Sequence, residues 1–167
     1  MDHDDIDVRN FVFFENDIDF LTFFIECLDS LSSYFGEEVC GVIAYSFGRG
    51  LGERVYKLAV KHGIRDLKNA NDFLLWIVKR FRFAKDAAVF ILKPRDGFAL
   101  EMLFRIASSG RDDKGNLVFY ILRGLLFQFY KLFTLGMVRV SSLNRSNSLI
   151  SSYEYIVRVS EDPNWRK

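Results

Sequence analysis

The sequence EEVCGVIAYSFGRGLGERVYKLAVKH, residues 37–62, constrains the fold more than any other part of this chain. Its apolar residues recur at spacings of three and four, which predicts one long amphipathic helix. The interior of that helix holds Gly41, Gly48, Gly50 and Gly52. Each interior glycine costs a helix up to about 1 kcal/mol, so four of them need a reason. Because Gly48 and Gly52 are four residues apart and share a helix face, we predict that another element packs closely against them.

A second apolar stripe comes before this helix in the sequence. Its residues are again three or four apart: Phe20, Leu21, Phe24, Ile25, Leu28 and Leu31. Asn16 and Asp17 are residue types that cap helices. We therefore predict a first helix from Asn16 or Asp17 to about Gly36, preceded by a short extended segment at residues 11–14.

The pattern after residue 62 alternates between helix and strand. The expected elements are a third helix capped by Asn71 or Asp72, strands at 87–93 and 98–107 around the turn sequence PRDG, a fourth helix at 117–135, and strands at 138–143 and 153–159. Two hairpins separated by a helix predict an α+β domain, in which helices pack on one face of an antiparallel sheet of about four strands. We expect one domain over residues 11–160, between a disordered acidic tail at 1–10 and a second tail at 161–167.

Charge and composition narrow the possible functions. The chain has 23 basic and 22 acidic side chains, and this balance argues against a nucleic-acid partner. The most apolar window contains Arg123, Gln128 and Lys131, so we expect no membrane span. The N-terminus does not resemble a signal peptide. We therefore expect a cytoplasmic protein in which Cys27 and Cys40 are reduced thiols.

The sequence contains no recognisable catalytic or metal-binding pattern. GRGLG at residues 48–52 lacks the spacing of a dinucleotide-binding loop, and no strand is predicted before it. His62 is the only histidine outside the N-terminal tail, and it lies at an expected helix end, where it suits the helix dipole. We therefore predict no cofactor and no metal, and a binding protein in preference to an enzyme.

Aromatic residues are unusually frequent in this chain. It contains 18 Phe, 7 Tyr and 2 Trp. One interpretation is a large aromatic core, because each ring buries much apolar area. The other is a core together with an apolar cavity or a dimer face. The fourth helix has an apolar face broader than one core usually needs, and this is compatible with either interpretation.

Several segments together resemble a known family. They are LTFFIECLDSLSSYFG, AYSFGRGLGERVYKLAV, NLVFYILRGLLFQFYKLFTLG and the final hairpin, with G-R-x-x-G at Gly48, Arg49 and Gly52 and R-G-L-L at 123–126. Over residues 17–159 the chain resembles the 4-vinyl reductase domain family, whose superfamily includes TRAPP subunits and haem-dependent nitric-oxide sensors. The final hairpin lacks the cysteines of many members. Tyr45, Ser46 and Arg49 do not have the spacing of the sensors' haem motif, so neither a metal nor haem is carried over.

The resemblance implies an apolar pocket between helices and sheet, and dimerisation through helices. We predict a small-molecule sensor domain that binds an apolar ligand or lipid through Phe24, Cys40, Phe47, Phe98, Met102, Phe104 and Phe127. Cys40 is included because TRAPP-type relatives hold an acyl chain on a buried cysteine. The alternative prediction is a TRAPP-like interaction module, a homodimeric scaffold with Phe127, Tyr130 and Lys131 as contact residues.

Overall fold

The computed structural model describes residues 8–108, 116–143 and 152–160. Its elements are α1 (Val8–Phe35), α2 (Glu37–Lys61), α3 (Leu67–Val78), β1 (Ala84–Leu92), β2 (Phe98–Ser108), α4 (Asn116–Thr134), β3 (Val138–Ser142) and β4 (Ser152–Ser160). This is the order of helices and strands that the sequence predicts. The predicted tails, apart from residues 8–10, and most of the link between the last two strands lie outside the described residues.

The four strands form one antiparallel sheet in the order β1-β2-β4-β3. Side chains alternate across it, and Phe104 is on the buried face with the helices. The opposite face carries two ion pairs, Arg105 with Glu154 at 2.6 Å and Arg158 with Glu101 at 3.2 Å. A sheet with one packed face and one charged face is the expected form of a solvated antiparallel sheet. The predicted α+β class is therefore confirmed.

Helix α4 lies between α2 and the sheet. On its sheet side, the Tyr155 hydroxyl donates a hydrogen bond of 2.8 Å to the Phe119 carbonyl. The Tyr130 ring of α4 lies 5.6 Å from that of Phe104 in β2. The stretch Leu117–Thr134 is long and apolar enough to cross a membrane, but 56% of it is buried within the fold. Its apolarity is thus explained by packing on two sides.

Glycines permit the close contact between α2 and α4. A Cβ at Gly48 would overlap the Ile121 carbonyl, and a Cβ at Gly52 would lie 2.5 Å from the carbonyl oxygen of Leu125. On α4, Gly124 contacts the α2 backbone in the same way. The close approach predicted at Gly48 and Gly52 is therefore present, and α4 is the element that approaches.

The first helix begins earlier than predicted. It starts at Val8, so residues 11–14 are helical and not extended, and neither Asn16 nor Asp17 caps it. The helical spacing of apolar residues simply continues upstream through Phe11, Phe14 and Ile18. An apolar period that continues past a possible cap outweighs the cap signal.

The third helix also begins before the predicted cap. Asp66 is its N-cap, with a side-chain oxygen that accepts a 2.9 Å hydrogen bond from the Asn69 amide. This bond lowers the pKa of the Asp66 carboxyl. Asn71 lies inside the helix and is buried, and Asp72 follows it. The predicted caps at Asn71 and Asp72 were wrong because Asp66 satisfies the first amides one turn earlier.

Candidate functional site

The predicted ligand-binding residues on the sheet lie in the packed core. Met102 and Phe104 are almost fully buried beneath α3 and α4. The Met102 sulfur accepts a 3.6 Å hydrogen bond from the side chain of Asn71. Phe104 packs against Tyr130, as described above. Both residues therefore contact other core side chains where a ligand was expected.

The predicted residues on the first two helices pack against each other. Phe24 of α1 stacks on Phe47 of α2 with ring centroids 4.1 Å apart, and Phe20 lies 6.1 Å from Phe47. Cys40 is fully buried on the core side of α2. The phenylalanine pair is part of the contact between α1 and α2.

The remaining two predicted ligand residues lie apart from these. Phe98, at the start of β2, has the Arg158 guanidinium 5.8 Å from its ring centroid. Phe127 on α4 lies between Arg49 at 5.5 Å and Lys131 at 5.7 Å. The structure therefore distributes the seven predicted ligand residues over several regions and does not bring them together in one pocket.

The structure places Tyr130, one of the three predicted contact residues, in the core. It is fully buried, and its hydroxyl donates a hydrogen bond to the side-chain oxygen of Asn71. Burial raises the pKa of this hydroxyl well above its usual value. Tyr130 lies on the side of α4 that faces the sheet, where its ring packs against Phe104. Of the other two predicted contact residues, Lys131 is exposed and Phe127 is half-buried.

Helix α1 carries an apolar row on its outer side. Five residues form it, at successive spacings of three, four, four and three: Phe20, Phe23, Cys27, Leu31 and Tyr34. Phe20, Phe23, Leu31 and Tyr34 are 54%, 61%, 43% and 83% exposed, in that order, and Cys27 is exposed as well. We call this row the α1 seam. The start of α2 adds the exposed residues Val39 and Ile43.

Sequence reasoning missed the α1 seam because it assigned Phe20 and Leu31 to the core stripe. The buried side of α1 is formed by Leu21, Ile25 and Leu28. A helix needs one apolar stripe to pack on its own domain. The signal in the sequence was a second stripe, displaced around the helix from the first.

A cleft opens between the N-terminal halves of α2 and α4. It has a volume of about 490 Å³ and is lined by Glu38, Gly41, Val42, Tyr45, Tyr120 and Arg123. Arg123 is held in place because its Nε donates a 3.1 Å hydrogen bond to the Val140 carbonyl of β3. The Tyr120 ring packs on Gly41, where a Cβ would come within 2.8 Å of it. We call this site the α2–α4 cleft.

The described residues offer no evident metal centre. Among them, no three His, Cys, Asp or Glu side chains come together in a way that could hold an ion. Cys27 is exposed and Cys40 is buried, and they lie on different helices. The imidazole of His62 follows the end of α2 and lies 6.2 Å from the Phe73 ring.

No protein-family model matches this chain, and no curated protein matches it in sequence. The resemblance to the 4-vinyl reductase domain family therefore stays a prediction. Fold and surface together define an α+β domain that carries an apolar helix seam and, separately, a cleft with aromatic walls and charged groups.

Proposed function

We propose that this chain is a non-catalytic interaction domain that works as a homodimer, with α1 of one protomer packed against α1 of the other. The observation that supports this proposal is the α1 seam. Folded monomers rarely leave a contiguous row of large apolar side chains in water. Spacings of three and four along a helix are those by which two helices interlock. The charged outer face of the sheet is less suited to such a contact.

The order of residues in the α1 seam favours an antiparallel pair. Cys27 is its centre, because Phe20 and Tyr34 are each seven residues away and Phe23 and Leu31 are each four away. A two-fold axis through Cys27 would therefore place Phe23 against the partner's Leu31. It would also place Phe20 against the partner's Tyr34. Such a self-complementary surface is what a two-fold interface requires.

Charge opposes this contact. The exposed part of α1 carries Asp19 and Glu26, and residues 19–35 contain no lysine or arginine. Two copies of this helix repel each other at low ionic strength, and salt screens the repulsion. A seam of five residues also buries less surface area than a standard interface, which buries about 1,600 Å² in total. We therefore expect a micromolar dimer that strengthens with added salt.

The first test is the oligomeric state by sedimentation equilibrium. We expect dimers of the unchanged protein at about 100 µM, a concentration suited to a small interface. Phe23→Glu should give monomers at the same concentration, because it buries a charge in the seam. Val60→Glu is the matched control, since Val60 is an exposed apolar residue outside the seam. A monomeric unchanged protein, or equal effects of both variants, would contradict the proposal.

The second test uses Cys27 as a probe of orientation. Mild oxidation should link two copies through Cys27, while the buried Cys40 stays unreactive. A cysteine moved to position 23 in a Cys27→Ser background should not link to itself, because an antiparallel pair separates the two copies by about 12 Å along the helix. Linkage at position 23 would instead indicate parallel helices. A failure of Cys27 to link in a proven dimer would place the interface elsewhere.

The ligand pocket between helices and sheet has no comparable support, because Met102, Phe104, Phe24 and Phe47 already pack against protein side chains. An apolar ligand would have to displace these contacts. The small-molecule function predicted from the sequence is therefore placed second to the dimeric interaction domain.

A further inference from the structure

The α2–α4 cleft has the dimensions and stiffness of a small-molecule site. Its volume of about 490 Å³ falls in the range typical of ligand pockets. The walls belong to two helices whose backbones are in direct contact at Gly48 and Gly124. Since those helices cannot move closer together, the position of the cleft is fixed by the fold. A preformed site spends little free energy on ordering when a ligand binds.

Two charges of opposite sign line the cleft. The Nε of Arg123 donates a hydrogen bond to the Val140 carbonyl, which limits the movement of the side chain. Glu38 is exposed in the first turn of α2. Within the described part of the chain, no ion pair joins Glu38 to Arg123. The cleft thus presents a cation and an anion, and each can pair with a group on a ligand.

Apolar surface lies beside these charges. Tyr45 and Tyr120 are half-buried and contribute ring surface, and Val42 is exposed at the same site. Gly41 leaves room for the Tyr120 ring to lie on the α2 backbone. Aromatic walls of this kind take up apolar side chains, whereas separate charges fix the orientation of a ligand.

We propose that the α2–α4 cleft binds a small zwitterion of the α-amino-acid type with an apolar side chain. Arg123 pairs with the carboxylate, since a guanidinium can donate two parallel hydrogen bonds to the two oxygens of a carboxylate. Glu38 pairs with the ammonium group. The side chain of the ligand packs against Tyr45, Tyr120 and Val42. This assignment uses every side chain that lines the cleft, and no covalent step is involved.

The first experiment compares three probes in NMR titrations of amide shifts. They are L-phenylalanine, 3-phenylpropionate, which lacks the ammonium group, and 2-phenylethylamine, which lacks the carboxylate. L-phenylalanine should cause saturable shifts at the cleft. 2-Phenylethylamine should bind about tenfold more weakly, because it leaves the half-buried Arg123 without a partner. 3-Phenylpropionate should bind about threefold more weakly, because Glu38 is exposed and an exposed ion pair contributes at most about 1 kcal/mol. Equal binding of the three probes, or no saturable shift with L-phenylalanine, would overturn the proposal. No variant is needed for this comparison.

The second experiment assigns each charge to its residue. Glu38→Gln should reduce binding of L-phenylalanine to the level of 3-phenylpropionate, and Arg123→Met should reduce it to the level of 2-phenylethylamine. The matched controls are Glu53→Gln and Arg49→Met, because both residues line a smaller cleft further along the same helices. They should leave the affinity within about twofold. Controls that weaken binding as much as the cleft variants would overturn the assignment.

This inference does not depend on the proposed dimer. The monomeric variant Phe23→Glu should bind L-phenylalanine with unchanged affinity, because Phe23 lies on the outer side of α1 and not in the cleft. Failure of the dimer experiments and failure of the cleft experiments are therefore separate outcomes.

Discussion

Helix α2 contacts one neighbour through glycines and another through phenylalanines. Against α4, Gly48 and Gly52 bring the two backbones together. Against α1, the contact includes the stacked rings of Phe24 and Phe47. A backbone contact tolerates no added atom, whereas a contact between rings at the surface can adjust. The difference separates a part of the molecule that fixes the fold from a part that is free to serve a partner.

The two contacts also differ in what they leave exposed. Helix α4 is enclosed by α2 and the sheet, and its apolar side chains are largely buried. Helix α1 packs on α2 and α4 and makes no substantial contact with the sheet within the described residues. Its outer side therefore keeps the α1 seam in water. The excess of aromatic residues in the sequence is thus explained on one side by the core and on the other by the seam.

The largest expected effect is at the glycine contact. Gly48→Ala places a methyl group where the Ile121 carbonyl lies, so the two helices must separate. Overpacking of a core costs about 1–3 kcal/mol, and we expect this variant to lose at least about 3 kcal/mol because the obstacle is backbone. Urea unfolding monitored by circular dichroism measures the loss. A loss below about 1 kcal/mol would show that the helices can move apart at little cost.

The ring contact on the other side should be less sensitive. Phe24→Ala removes one half of the stacked pair with Phe47, but Phe24 is only partly buried. We expect a loss of about 2 kcal/mol, below the 3–5 kcal/mol typical of fully buried phenylalanine. The same unfolding measurement applies. A loss as large as that of Gly48→Ala would remove the distinction between the two contacts.

The sequence predicted the glycine contact more successfully than the outer surface. Two glycines four residues apart have one common explanation, close packing, and the periodicity of α2 located it. The start of α1 was misplaced because its apolar period continues upstream of Asn16 and Asp17. The start of α3 was misplaced because Asp66 caps the helix before Asn71. A second apolar stripe with Phe23 and Tyr34 is visible in the sequence, but the sequence does not show which of the two stripes of α1 faces the core, because both have helical spacing.

Removal of the buried hydroxyl of Tyr130, on the sheet side of α4, should cause a smaller loss of stability than the two changes above. Tyr130→Phe leaves the side-chain oxygen of Asn71 without its donor, and we expect a loss of about 1 kcal/mol near neutral pH. The expected loss is small because the ring and its packing remain.

The same hydroxyl predicts a change of stability at alkaline pH. Burial raises the pKa of Tyr130, so the folded protein keeps a proton that the unfolded chain releases above about pH 10. The contribution of Tyr130 is therefore complete below that pH and is lost as the pH rises through it. The free energy of unfolding can be measured at points about one pH unit apart between pH 8 and pH 11. It should fall less steeply with pH for Tyr130→Phe than for the unchanged protein. Parallel curves would show that Tyr130 does not titrate differently in the two states.

The smallest expected effect is a gain of stability at Gly50, only two residues from Gly48, where the largest loss is expected. Gly50 is in the same helix as Gly48 but is exposed, and a Cβ there would contact nothing within 4 Å. Gly50→Ala should therefore raise the free energy of unfolding by about 0.5–1 kcal/mol, because alanine restricts the unfolded chain and favours helix. If Gly48→Ala and Gly50→Ala were both destabilising, glycine would be needed on more than one face of α2. Opposite signs in one unfolding series would show that only the face toward α4 requires them.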